Sequence, residues 1–334
     1  AQVIYSVNGD NVAVNTKERN LGHIMLGGNE AAVSAWQSLT KNDILITLGI
    51  DVGEYVLNLE NVPACHSFCL TSHTTAYGQK DGSYKHVFHD HYHQINGNIQ
   101  ENLEAFLSMT HATKFPSHEK FPHLPDQLKT DEISSQKVDL VAFYRQVDQL
   151  WQKHSIVFED VCIAYRDRQA VIGLPNANAR FFTSNHGSAM GSAFGLGVGA
   201  AVADQQQKVF IFSGDGCFQL YAGSLHQAAK LNITLFIMNN EELSIVRDGC
   251  KTILKESKEK NDHSDIEKVN WKSAASAFGW RFFRVKADLS NLSDIMQASY
   301  DKDPTSIIVD LPLDPSQVIG KNFRYANVTK DSNL

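Results

Sequence analysis

An acid between two glycines, Gly214-Asp215-Gly216, follows the apolar run KVFIFS (208–213), and a pair of amides, Asn239-Asn240, follows the apolar run ITLFIM (233–238). Short continuous apolar runs read as strands buried on both faces of a parallel sheet. Both polar groups therefore fall at C-terminal strand ends, where open α/β sheets place their ligands. Glycines there let the backbone approach a ligand closely. A helix expected to begin near Tyr221 would turn its N-terminal amides toward an anion. A carboxylate beside a phosphate needs a cation between them, so Asp215 points to a hard metal, and Mg2+ fits an all-oxygen set best. Asn240 adds a neutral amide oxygen. One carboxylate, one amide oxygen, one backbone carbonyl and two phosphate oxygens nearly complete an octahedron. Either motif alone would read as a turn; together, each after an apolar strand with one helix between, they read as one site.

The elements that must position this site alternate. Residues 1–110 give strands at QVIYSV, DILITLG (43–49), HSFCLTS (66–72) and HVFHDHYHQI (86–95), with helical spacing at 28–39 and 98–109. Residues 111–136 carry three prolines and no period, and read as a linker. From 137 to 334 a helix (137–154) precedes strands at 155–161, 179–184, 208–213, 233–238, 280–285 and 306–311. Helical patterns lie between them at 188–204, 221–231, 269–278 and 288–300. The fold expected is α/β, with two parallel-sheet domains and helices on both faces of the second.

Bulk properties exclude other classes. The chain has 334 residues, enough for two domains, and a net charge of −7, which offers no basic stripe for nucleic acid. No apolar run is long enough to span a bilayer. Five cysteines (65, 69, 162, 217 and 250) form an odd set without close pairing and read as reduced thiols of a cytoplasmic protein. The start, AQVIYSVNGD, reads as a strand within a domain, which would make the chain a fragment, a processed chain or a separately encoded piece.

GDG, a spacer of 22 residues (217–238), then NN resembles the cofactor signature of the thiamine-diphosphate-dependent enzymes. The stretch NNEELSIV (239–246) is similar to the acetolactate synthase branch, and SNHGSAMGSAFGLGVGAAVA (184–203) to the segment that holds the aminopyrimidine ring. The resemblance implies that Asp215, the Asn240 side chain and the Glu242 carbonyl ligate Mg2+. It implies that Gly214, Gly216, Cys217 and Phe218 border the diphosphate, and that Leu243, Ser244 and Ile245 line the diphosphate and thiazolium region. Met190 would wedge under the bent cofactor, with its own N–H and the Ser188 carbonyl holding the pyrimidine. FEDVCIAYRDRQ (158–169) matches a segment that usually reads DVG followed by polar contacts; here Cys162, Ile163 and Ala164 depart from it.

What the resemblance implies for function is a lyase or carboligase acting on 2-oxo acids, the cofactor serving as electron sink when CO2 leaves. Residues 1–110 resemble the family's central, Rossmann-like domain, entered late. The glutamate that activates the pyrimidine would lie on a separate N-terminal pyrimidine-binding domain, supplied by another chain or by a region upstream. A homodimer or tetramer follows from the same likeness. The alternative is a non-catalytic or degenerate cofactor-binding module that needs a partner chain.

Other readings weigh less. GLGVGA (195–200) fits a dinucleotide pattern, but it follows a helical stretch and not a strand. FAD in the first domain is not expected, because LGHIMLGGNEAA (21–32) and LGIDVGEY (48–55) lack charged contacts. His89, His91 and His93 share a strand face that could bind Zn2+, although a polar face near a domain interface accounts for them. His186 and His226 are read as hydrogen-bonded groups near the cofactor. Tyr165-Arg166-Asp167-Arg168 is read as a surface ion-pair group in preference to a substrate contact.

Overall fold

The computed structural model describes residues 2–24, 28–50, 66–74, 92–110, 128, 133–161, 164–184, 189–255, 264–317 and 319. The core is a six-stranded sheet of β6 (Ser155–Glu159), β7 (Ala179–Thr183), β8 (Lys208–Gly214), β9 (Ile233–Asn239), β10 (Arg281–Arg284) and β11 (Ile307–Pro312). Their order is β10-β11-β9-β8-β6-β7, and every pairing is parallel. The chain leaves β6 for β7 on one side and returns to β8 on the other. The sheet therefore has its topological switch point between the C-terminal ends of β6 and β8, where a ligand crevice opens.

Alternate residues of the same strands feed two cores. Phe210 and Phe212, Phe236 and Met238, and Val309 and Leu311 face α4 (Leu140–Gln149) and α10 (Leu292–Ser299). Val209 and Ile211, Leu235 and Ile237, and Ile308 face α6 (Ser192–Ala203), α9 (Trp271–Ala277) and a 3-10 helix at Ala222–Ala228. This is the doubly covered α/β architecture expected from the continuous apolar runs. Each such side chain removed from water stabilises the fold by about 1.5–3 kcal/mol. Phe212 and Phe236 stack across neighbouring strands, ring centroids 4.8 Å apart. Asp139 caps α4, its carboxylate accepting from the Val141 and Ala142 amides.

The first part of the chain holds a three-stranded parallel sheet, β3 (Ile44–Leu48), β4 (His66–Thr71) and β5 (Tyr92–Asn96), with α2 (Glu30–Ser38) before it and α3 (Ile99–Thr110) after it. The first strand, β1 (Val3–Tyr5), does not join that sheet. It pairs in parallel with β2 (Asn20–His23), and α1 (Asp10–Ala13) lies between them.

Residues 2–24 instead lie against the six-stranded sheet. Asn8 exchanges two hydrogen bonds with the backbone of Thr183, and Asn11 two with that of Phe181. β7 is an edge strand, so two side-chain amides stand where a neighbouring strand would. Among the described residues, no helix is long and apolar enough to cross a membrane.

Candidate active site

The site lies where β8 and β9 end. β8 runs into a single helical turn, α7 (Asp215–Phe218), with Gly214 at its N-cap. The helix expected near Tyr221 follows as a 3-10 helix with Tyr221 at its N-cap, preceded by this additional turn. The segment 222–228 is a 3-10 helix, and the Gly216 amide turns onto its neighbour's Asp215 Oδ1 at 2.9 Å. Asp215 is 3% exposed. Its other oxygen accepts from the Glu241 amide at 2.6 Å, which ties β8 to the loop after β9. Burial pushes the Asp215 carboxyl up to about 6, against the opposing pull of those two amides.

Asn240 meets Asp215 from β9. The end of its amide lies 3.2 Å from Asp215 Oδ1 and 2.9 Å from the Glu242 carbonyl oxygen, with the Ser244 hydroxyl at 2.6 Å on its other side. Two orientations fill this position. With its nitrogen inward, the amide donates to both oxygens. With its oxygen inward, a carboxylate, an amide and a carbonyl oxygen converge with no donor among them. That second arrangement requires a cation, and its all-oxygen chemistry suits a hard one. Among the described residues no three His, Cys, Asp or Glu side chains converge.

The turn that presents the Glu242 carbonyl is strained and braced. Glu241 has φ 58°, which non-glycine residues rarely adopt. It is held by the Ile266 amide on its carbonyl, and Leu243 donates its amide to Ser264 at 2.6 Å. The Glu242 side chain turns away to Arg247, whose guanidinium also donates to the Pro315 carbonyl at 2.9 Å. A carboxylate engaged by arginine leaves the backbone carbonyl as the Glu242 group facing the site. Leu243 packs on Gly216, where a Cβ would sit 2.5 Å from Leu243 Cδ2. The helix α8 (Ser244–Ile253) follows, with Ser244 buried and Ile245 41% exposed.

The remaining candidates divide. Cys217 and Phe218 are buried under the site in the apolar core, and burial with nearby Asp160 pushes the Cys217 thiol up to about 12. Met190 is 41% exposed in the turn before α6. Ser188, with His186, Cys162, Ile163, His89 and His91, lies outside the described residues. His226 is exposed, its Nδ1 against the Gly223 carbonyl of its own turn. His93 stacks on Phe68. GLGVGA lies inside α6, where a Cβ on Gly197 would meet Ile211 Cδ1 at 2.5 Å. Gly197 makes a close helix–sheet contact, and all three glycines lie within a helix and not in a turn after a strand, which removes the dinucleotide reading.

The surface reading of residues 165–168 is overturned. Arg166, Asp167 and Arg168 lie on α5 (Ala164–Val171) and are buried. Arg168 pairs with Glu159 at the end of β6 and with Asp10 of α1, its guanidinium 3.9 Å over the Phe181 ring. The N-terminal segment covers the helix, and no local pattern announces that cover.

The fold is a parallel α/β sheet whose Asp215, Asn240 and Glu242 groups meet at the C-terminal ends of β8 and β9. Residues 170–309 match the family model described as thiamine pyrophosphate enzyme, C-terminal TPP binding domain. That segment is therefore similar to the thiamine-diphosphate-binding domain of this enzyme family. The fold is similar to that of a solved structure, the benzoylformate decarboxylase from Polynucleobacter necessarius, with a TM-score of 0.65 and 13% identity. The match covers 95% of this chain and 62% of that one, so the chain spans less than two thirds of that protein. No curated protein sequence matches the chain significantly.

Proposed function

We propose that the Asp215 carboxylate, the Asn240 amide oxygen and the Glu242 carbonyl hold Mg2+ against the diphosphate of thiamine diphosphate, and that the chain serves a thiamine-dependent enzyme acting on 2-oxo acids. The convergence of the Asp215 carboxylate, the Asn240 side-chain amide and the Glu242 carbonyl at the ends of β8 and β9 supports this reading. On metal binding the Asn240 amide would present its oxygen inward, with its nitrogen then donating to the Ser244 hydroxyl. Leu243, Ser244 and Ile245 would border the cofactor, and the half-exposed Met190 would support its rings. Gly214, Gly216, Cys217 and Phe218 would belong to the turn beside the diphosphate.

Bound thiamine diphosphate supplies an electron sink for the carbanion left when CO2 departs from a 2-oxo acid. The residues of this chain anchor and orient. Burial of Asp215 leaves its charge poorly screened, so its attraction for a cation is strong. The glutamate that activates the pyrimidine belongs, in the same reading, to a pyrimidine-binding domain presented from elsewhere in a dimer or tetramer in the cytoplasm. Decarboxylation is the broad reaction class; carboligation of the acetolactate synthase kind is the finer reading, supported by NNEELSIV. Benzoylformate, named in the similar structure, is itself a 2-oxo acid.

The second reading, a non-catalytic module, is favoured by Cys162-Ile163-Ala164, where the family has glycine and polar contacts. Full-length protein given thiamine diphosphate, Mg2+ and a panel of 2-oxo acids separates the two. Release of CO2 that depends on Asp215 supports the enzyme. Metal-dependent cofactor binding with no CO2 from any acid supports the module.

A further inference from the structure

Asp160 is wholly buried one residue beyond β6, at the switch point of the sheet. Its backbone amide donates to the Phe212 carbonyl of β8. Its carboxylate accepts from three places: the Val161 amide at 2.9 Å, the Ser213 hydroxyl at 2.8 Å, and the Gly191 amide at 2.9 and 3.1 Å. One side chain thus joins the end of β6, the end of β8 and the turn before α6. That turn is conformationally demanding. Gly191 has φ 81°, and a Cβ there would lie 3.2 Å from the Tyr221 ring. The residue just before it, Met190, is the one whose side chain emerges half-exposed.

We infer that Asp160 is a positioning residue, which fixes the left-handed turn at Gly191 and thereby aims Met190 at the rings of the cofactor. The inference rests on the proposed role of Met190. No other described side chain bonds the Gly191 amide, so removing the carboxylate frees the turn while Asp215, Asn240 and Glu242 keep their own bonds to one another. The consequence is specific. Recognition of the cofactor's rings weakens, whereas recognition of its diphosphate does not.

Two measurements on the full-length protein test this. The first is calorimetric titration with thiamine diphosphate and, separately, with inorganic pyrophosphate, each with Mg2+. Asp160→Ala and Met190→Ala should each weaken thiamine diphosphate roughly tenfold and leave pyrophosphate within about twofold, since misaimed groups lose oriented contacts and not charge. The double variant should be no weaker than either single one, because two residues acting through one contact are not additive. Asp160→Asn should restore binding, its amide oxygen accepting from Gly191 and its nitrogen donating to Ser213.

The second measurement is amide hydrogen exchange without cofactor. Gly191 should lose protection in Asp160→Ala, keep it in Asp160→Asn, and show no change at β8 and β9. Additive effects, equal loss of both ligands, or an unchanged Gly191 amide would overturn the inference alone. If Met190→Ala leaves thiamine diphosphate affinity unchanged, or wild type does not bind it, the reading of Met190 falls and the inference falls with it.

Discussion

Arg168 grips Glu159 with two hydrogen bonds, Nε to Oε1 at 2.6 Å and Nη2 to Oε2 at 2.8 Å, and both side chains are buried. The same Nη2 reaches Asp10 at 3.0 Å, on a segment 158 residues earlier. Burial alone would push both carboxyls up, and the guanidinium pulls them back. Removing it leaves two uncompensated acids in the interior. Arg168→Ala should therefore cost about 3–5 kcal/mol in urea unfolding, the range for breaking a buried ion pair. Arg168→Lys should recover only part, because a point charge cannot match the fork. A loss below about 1 kcal/mol for Arg168→Ala would contradict this account.

Asn11 satisfies both outward groups of Phe181 on an edge strand, each at 2.7 Å. Asn11→Ala leaves a donor and an acceptor without partners, at about 1–3 kcal/mol if they stay dry. It also opens part of the β7 edge to other chains. Lower urea midpoints together with increased light scattering on storage are the expected outcome. Asn11→Asp should rescue the Phe181 amide but not its carbonyl. Unchanged stability in Asn11→Ala would show that the amide is ornamental.

Cys217 gives the pH dependence. Its thiol lies far above the ordinary value, first through burial and then through Asp160. A raised acid favours its protonated form in the fold. The corresponding stability is present in full below the ordinary thiol value of 9.0 and is lost as pH climbs through about 12. Because the thiolate is the nucleophile, alkylation at pH 8 should reach Cys250, which is only partly buried, well before Cys217. Peptide mapping after a short pulse of iodoacetamide checks the order. Equal labelling of the two would contradict the burial argument.

Much of the cofactor end of the fold was legible because its strands are buried on both faces. KVFIFS and ITLFIM lack the polar–apolar alternation that a solvent-facing strand would need, so their ends, and with them Asp215 and Asn240, could be placed from sequence. Helix α5 was not legible. AYRDRQAV is polar all round and reads as surface, and among the groups that cover it are Asp10, Val7 and Asn29, distant in sequence. Strand β2, with the sequence NLGH, is four residues long, contains a glycine and has no alternation to detect. The turn at Asp215 was not legible for a different reason. AGSLHQA forms a 3-10 helix, while the helical turn at 215–218 has its first carboxylate bonded to the Glu241 amide of the loop after β9, a contact distant in sequence. Asp160 carried a signal that went unused: an acid directly after an apolar strand, like Asp215 itself.

The account turns on whether Asp215 and Asn240 form one metal–diphosphate site. Calorimetric titration of the full-length protein with thiamine diphosphate, in Mg2+ and again in EDTA, for wild type and Asp215→Ala, tests it most directly. The predicted result is binding in Mg2+ that vanishes in EDTA and weakens in Asp215→Ala by more than about a hundredfold, since groups one shell further from a metal already cost roughly 10- to 100-fold. Binding of equal strength in EDTA, or an Asp215→Ala variant that binds as wild type does, would contradict it.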